Sequence, residues 1–156
     1  MSELPKWIQI VALLLAVLLL ALATEHWRAG RVKVWAARHQ ATLHWPVDLA
    51  LHPDLPAAAF AARFEVQGAQ RWGAAMQGQV DGRSAWVLEY EATPGALKAG
   101  RWYSLCLVQI GDDANEAQAK LESRRRAGAA HLAASGGWLA ERREGVMTVH
   151  ILNQWF

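Results

Sequence analysis

The side chains best suited to metal binding are six histidines, and the chain has a single cysteine. A metal site on one helix face needs two ligands four residues apart beside an acidic residue, and no two histidines have this spacing. His39, His44 and His52 could converge in a folded loop; the alternative is that they are solvated or satisfied side chains. His26 precedes Trp27 at the end of an apolar run, where it either ligates a haem or chlorophyll-type pigment or ends the helix as a polar residue. We expect no metal site and no cofactor.

Residues that could act as acid, base or nucleophile do not form a known catalytic pattern. Cys106 falls inside an apolar segment that predicts a strand, so we expect an inert core thiol. The chain has no Gly-x-Ser-x-Gly motif, and Gly78 and Gly82 lie beside strands rather than before a helix, which argues against a phosphate-binding loop. Glu89 and Glu91 are expected about 7 Å apart on one strand face. They either act as an acid and a base or belong to the solvated face of a sheet. We therefore expect that the protein is not an enzyme.

Charge and aromatic content narrow the classes of partner. The chain carries 16 basic and 14 acidic residues, a balance that argues against binding to nucleic acid. The densest charged segment, Arg124-Arg125-Arg126, is either a solvated helix side or a contact with lipid headgroups or an acidic partner. The chain ends on Trp155-Phe156, which either folds back on the domain or docks on a partner.

An apolar segment from Trp7 to Ala23, interrupted by a single glutamine, predicts a transmembrane helix. Trp7 and Trp27 are separated by about 30 Å along such a helix, which is one hydrocarbon thickness, and they match the two aromatic belts of a membrane protein. The small-x-small sequence before Thr24 also fits a signal peptidase site, so a cleaved signal peptide is the alternative.

Basic residues flank the apolar segment unequally. One of them, Lys6, precedes the segment, and four follow it, namely Arg28, Arg31, Lys33 and Arg38. The positive-inside rule then predicts a single-pass protein of the bacterial inner membrane whose C-terminal domain lies in the cytoplasm, with the periplasmic side as the alternative. Together with Trp7 and Trp27, the four basic residues are the predicted membrane interface, and the lipid bilayer is the predicted partner.

The pattern divides the chain into three parts, namely a membrane anchor at 1–27, a basic juxtamembrane helix at 28–42 and an α+β domain at 43–156. The domain begins with a short helix over 55–64, for which Asp54 is the expected N-cap. Strands follow at 74–80 and 83–91, joined by Asp81-Gly82, the dipeptide of a two-residue type I′ turn.

The second half of the domain completes the predicted sheet. A third strand is expected at 101–110, followed by a long helix over 114–134 that begins at Asp113 and stops at Gly136-Gly137. A second hairpin, with strands at 138–143 and 146–152, ends the chain. We expect an antiparallel sheet of about five strands packed against the long helix.

This layout resembles that of a group of uncharacterised bacterial single-pass membrane proteins, in which a membrane helix and a basic flank lead into a small α+β domain. The resemblance is carried by Leu43-His44-Trp45, by the helix near Phe60 to Phe64 and by the hairpin from Met76 to Tyr90, and it spans most of residues 28–152. The strand that reads Leu88-Glu89-Tyr90 here has an aromatic-Asp-Tyr sequence in the group. The resemblance implies no catalytic residue and no cofactor.

Two classes of function remain open. The first is a non-enzymatic, membrane-anchored interaction module, an accessory or assembly subunit that contacts other integral membrane proteins, partly through the small residues Ala12, Ala16 and Ala23. The alternative is a membrane-proximal domain that senses a ligand or anionic lipid, with residues 28–38 or 124–126 binding the headgroups. An enzyme would require histidines and carboxylates to converge in three dimensions.

Overall fold

A computed structural model describes residues 5–64, 67–93, 99–111 and 113–156, and its elements follow in chain order. The helices are α1 Lys6–Arg38, α2 Ala57–Arg63, α3 Ala114–Arg126 and α4 Val149–Asn153, with one 3-10 turn at Leu49–Leu51. The strands are β1 Thr42–His44, β2 Gln67–Val80, β3 Arg83–Thr93, β4 Arg101–Gln109, β5 Leu132–Ser135 and β6 Trp138–Glu144.

The strands form one antiparallel sheet in the order β1-β2-β3-β4-β6-β5. This arrangement confirms the predicted α+β class, but the sheet has six strands rather than about five. The additional strands are β1 and β5, which lie at the two edges and are too short to show an alternating pattern in the sequence. The strand predicted at 146–152 is not part of the sheet.

The predicted hairpin of β2 and β3 is confirmed. Asp81 and Gly82 have φ values of 52° and 74°, and positive φ at both central residues is what a type I′ turn requires. The turn sets Val80 opposite Arg83. Successive residues of β3 then lie on opposite faces of the sheet.

One face of the sheet is covered by α2 and by the 3-10 turn, and we call the apolar residues beneath them the first core. The predicted strand face of Trp86, Leu88 and Tyr90 lies here, packed against Phe60 of α2. The prediction that Asp54 caps this helix is wrong. The helix begins after Pro56 without a side-chain cap, and Asp48 instead caps the 3-10 turn by accepting the N–H of Ala50.

The opposite face of the sheet is also buried, under the C-terminal third of α1 and under α4. We call this apolar layer the second core, and it includes Val32, Met76, Val87, Cys106 and Leu152. Because both faces are covered, β3 and β4 each contain a run of consecutive buried residues. Burial on both faces confirms the predicted central position of β4.

The predicted long helix over 114–134 is wrong in its second half. Helix α3 begins as predicted, with the Asp113 carboxylate accepting the N–H groups of Asn115 and Glu116, but it ends at Arg126. Gly128 follows with φ +88°, and the N–H of Ala129 donates to the carbonyl of Arg124. The N–H of Gly128 also donates to the carbonyl of Arg125, and the two bonds form the Schellman motif that terminates a helix. None of the residues of α3 is buried, so the predicted packing of the sheet against a long helix is not confirmed.

The predicted second hairpin is displaced along the chain. Gly136 and Gly137 do not stop a helix; both have positive φ, and they form the tight turn between β5 and β6, where Ser135 pairs with Trp138. The segment predicted as its last strand instead forms α4, whose first turn is capped by the hydroxyl of Thr148.

Helix α1 is the one helix in the described ranges that is long and apolar enough to cross a membrane. Its 33 residues correspond to about 50 Å, whereas a hydrocarbon layer is about 30 Å thick. The remainder of the helix therefore extends beyond such a layer. The juxtamembrane helix predicted at 28–42 is this extension, which continues α1 without a break and ends at Arg38.

Candidate functional site

A buried ion pair joins α1 to the centre of the sheet. The Arg28 Nη1 atom lies 2.6 Å from Oε1 of Glu89, whose side chain is 4% exposed. The same oxygen accepts the N–H of Met147 at 2.8 Å, and Arg28 also binds Glu25 at 2.9 Å. The prediction that Glu89 lies on a solvated face is therefore wrong, because α1 covers that face. The buried carboxylate is compensated by charge and by hydrogen bonds, as its burial requires.

Trp35 attaches the same helix to α4. Its indole N–H donates to the side-chain oxygen of Asn153, and its ring meets the edge of Phe156 with 5.4 Å between centroids. Val32 and Ala36, on the same side of α1, are buried in the second core. The apolar part of α1 and the domain are therefore joined by one continuous helix whose far end belongs to the core.

A second buried carboxylate, Glu141 of β6, lies on the same face of the sheet, opposite Cys106 of the second core. It binds Arg124 of α3 at 2.8 Å and Arg143 at 2.5 Å. The guanidinium of Arg124 also lies 4.4 Å from the ring centroid of Trp155. Glu91 forms a separate pair with Arg71 at 3.1 Å. Glu89 and Glu91 thus have different partners and do not form an acid–base pair.

The C-terminal aromatic residues fold back on the domain. Trp155 is 5% exposed, and the Phe156 ring occupies the space that a side chain at position 78 would fill, since that residue is Gly78. Of the two interpretations of this terminus, the structure favours packing over docking on a partner. In the arginine run, Arg125 and Arg126 remain on the surface, whereas Arg124 is held by Glu141. The three arginines do not form one patch.

A cavity of about 660 Å³ lies beside α3 and β6. The arginines that line it are already bound to other groups of the domain. Arg124 and Arg143 both bind Glu141. Arg142 donates to the carbonyl of Phe64 at 3.0 Å and stacks on Tyr103. Because these cations already have partners, the cavity offers little free charge to a ligand.

A groove between α1 and the start of α4 differs in this respect. It has two adjoining parts, of about 450 and 240 Å³, whose walls share Trp27, Arg31 and Val149. The larger part is also lined by Arg38, and neither part is lined by an aspartate or glutamate. We call this feature the α1–α4 groove. Of its arginines, Arg28 is paired with carboxylates outside the groove, whereas Arg31 and Arg38 pair with no carboxylate of the described residues.

Most of the predicted membrane-interface residues are exposed in the structure, but one of them is enclosed. Trp7 and Trp27 are 66% and 69% exposed, at opposite ends of the apolar part of α1. Arg31, Lys33 and Arg38 are also exposed, and none pairs with a carboxylate in the described part of the chain. Arg28, in contrast, is largely enclosed by Glu89 and by the backbone of residue 147.

The histidines form no group of metal ligands. His44 and His52 do converge, with 5.2 Å between ring centroids, and both contact the ring of Trp86. His39 lies elsewhere, stacked on Trp35. Within the described ranges, no three histidine, cysteine, aspartate or glutamate side chains lie close enough to hold a metal ion. The aromatic contacts indicate that this histidine pair is a packing feature of the first core.

Cys106 should be unreactive in the folded protein. Its side chain is fully buried, and burial together with the nearby Glu141 carboxylate raises the pKa of its thiol far above the usual value. Because the thiolate is the reactive form, we expect maleimide at neutral pH to label no cysteine in the native chain and one cysteine in urea. Intact mass spectrometry measures both, and labelling of the native chain at the rate of a free peptide would contradict this burial.

Tyr90 should limit stability at alkaline pH. Burial raises its pKa to about 12 and outweighs the opposing effect of Arg142. The folded state thus favours the neutral phenol, so this contribution is fully present below pH 10 and is lost as the pH rises toward 12. The decline amounts to at most about 1.4 kcal/mol per pH unit.

Tyr90→Phe tests this effect, with urea unfolding followed at pH 8, 10 and 11. The hydroxyl of Tyr90 has no hydrogen-bond partner in the described residues, so the variant should match or exceed the parent at pH 8 and lose less stability at pH 11. Equal alkaline losses in the two proteins would show that Tyr90 is not responsible.

Sequence reasoning missed both buried carboxylates. Glu89 alternates in β3 with Val87, a residue of the second core, and Glu141 alternates in β6 with the buried Leu139. An acidic residue in register with apolar neighbours is the available signal. It becomes informative only when a basic helix is known to cover the face.

No family model matches this chain, and neither a curated protein nor a solved structure matches it. Its function therefore has to follow from the geometry of this chain.

Proposed function

We propose that the chain is a non-enzymatic interaction module held at a membrane by α1, and that it is an accessory or assembly subunit of a protein complex in the bacterial inner membrane. The observation that supports this proposal is the dual role of α1. Its first part has the length and composition of a membrane span, and its last part is buried in the second core. A domain joined in this way has a fixed orientation relative to the span, which suits a protein that presents a surface to other subunits.

Retention of α1 and a cytoplasmic domain are part of the proposal. Cleavage before Thr24 would fall within an uninterrupted helix, which favours a retained span over a signal peptide. The excess of basic residues after the span supports a cytoplasmic domain, since basic flanks are enriched on the cytoplasmic side.

A reporter fused after Phe156 tests this orientation. Because Phe156 packs against the sheet, a flexible linker must separate it from the reporter. Green fluorescence is the expected result with a fluorescent-protein fusion. Alkaline phosphatase activity in the parallel fusion, without green fluorescence, would place the domain on the periplasmic side.

The contacts of the reactive groups support a non-enzymatic role. Glu89 and Glu141 are both bound by arginine, and Cys106 is sealed in the second core. Groups engaged in this way are not available to exchange protons with a substrate or to attack it.

The proposed partners are integral membrane proteins that pack against the span. Ala12, Ala16 and Ala23 lie on one side of α1, where small residues allow a second helix to approach closely. We expect partner proteins to co-purify with the chain from its native host in mild detergent and to be lost with Ala16→Leu. Ala21→Leu adds the same bulk on another side of the helix and should keep them. If the unmodified chain purifies alone at native expression, the proposed function is contradicted.

A further inference from the structure

We propose that the α1–α4 groove binds the phosphate of an anionic phospholipid and that Arg31 is its principal ligand. This inference rests on the proposed attachment of the chain to a membrane. It adds a bound lipid that positions the domain on the bilayer surface.

The charges of the groove favour an anion. Three arginines, Arg28, Arg31 and Arg38, line it together with His26 and His150, and no acidic side chain does so. Arg28 is already paired with Glu89 and Glu25, so Arg31 and Arg38 are the two lining arginines without a carboxylate partner among the described residues. A phosphate in the groove would supply the charge that its arginines lack.

The depth of Arg31 matches that of a headgroup. Side chains of a helix incline toward its N-terminus, which is the bilayer side of α1. The Arg31 guanidinium does reach back in this way, lying 5.3 Å from the ring centroid of Trp27. Its charge is therefore near the level of Trp27. That level is about 6 Å along the helix from Ala23, the last residue of the apolar segment. A headgroup layer is about 5–7 Å thick, so the charge of Arg31 falls within this layer.

The walls of the groove suit a lipid better than a free phosphate. Trp27 is exposed, and Val149 forms the facing wall. Tryptophan at the membrane interface presents an apolar ring to acyl chains and its N–H to the polar layer. A zwitterionic headgroup brings its own cation to this basic groove, whereas an anionic headgroup does not. The geometry therefore favours an anionic lipid.

Native mass spectrometry of the full chain in nonionic detergent tests the proposal. Phosphatidylglycerol and phosphatidylcholine with the same acyl chains are titrated in parallel, and we expect preferential binding of one phosphatidylglycerol per chain. Arg31→Gln should weaken this binding about fivefold, the contribution of one basic residue at an anionic surface. Lys33→Gln is the matched control, because residue 33 lies about 200° around the helix from residue 31 and does not line the groove. Arg31→Lys keeps the charge and should give an intermediate affinity.

Three results would overturn the proposal. Equal binding of the two lipids would remove the requirement for an anion. Equal losses with Arg31→Gln and Lys33→Gln would indicate diffuse electrostatics rather than a groove. Displacement of phosphatidylglycerol by inorganic phosphate at similar concentration would indicate a site for free anions. Lipid binding is measured on the full chain in detergent. A negative result would therefore count against the lipid site alone, whether or not α1 is retained and a partner protein is found in the cell.

Discussion

Arg28→Met is expected to lower the free energy of unfolding by about 3–5 kcal/mol, the cost of leaving a buried charge without its partner. The Glu89 carboxylate is almost completely enclosed, and Arg28 is its charged partner at 2.6 Å. Methionine fills a similar volume but offers no positive charge. Urea unfolding of the full chain in detergent, followed by tryptophan fluorescence, measures the change.

Two controls separate the ion pair from the loss of a basic side chain. Arg31→Met removes the same group from an exposed position of the same helix and should leave stability nearly unchanged. The double variant Arg28→Met with Glu89→Met should recover most of the loss, since an apolar pair no longer buries a lone charge. Equal effects of Arg28→Met and Arg31→Met would refute a structural role of the buried pair.

Removal of residues 1–38 should abolish folding, whereas removal of residues 1–23 should not. The longer deletion takes away Val32, Trp35 and Ala36, which cover the second core, and it also leaves Glu89 without Arg28. Deleting one large core side chain costs about 3–5 kcal/mol, and a whole domain is stable by only about 5–15 kcal/mol. The combined loss therefore exceeds what a domain of this size withstands.

The chain that begins at Thr24 is the matched control, because it lacks only the exposed apolar part of α1 and keeps every contact with the sheet. It should unfold cooperatively in urea, and the chain that begins at His39 should show no cooperative transition or should aggregate. Similar unfolding midpoints for the two chains would mean that α1 is not part of the domain.

The central hairpin could be predicted from the sequence because the signals that specify it are local. Asp81-Gly82 can adopt the positive φ values that a type I′ turn needs, and the alternation of Trp86, Leu88 and Tyr90 fixes which residues share a face. The Asp113 cap at the start of α3 is a similarly local signal. Such features depend on a few adjacent residues and need no knowledge of what packs against them.

The errors lie where tertiary contacts decide the structure. Residues 127–134 are rich in alanine and favour a helix by propensity, but Gly128 ends the helix and the following residues pair with β6 instead. The burial of Glu89 depends on α1 lying across the sheet. The α1–α4 groove likewise forms between segments that are more than a hundred residues apart in the sequence.

The central claim of the proposed function is that α1 remains in the mature protein and holds the domain at the membrane. The intact mass of the natively expressed protein, measured on membranes washed with alkaline carbonate, tests this claim most directly. We expect the protein to stay in the washed membranes with residues 1–23 present. A mature protein that begins at Thr24 and is found in the soluble fraction would contradict it.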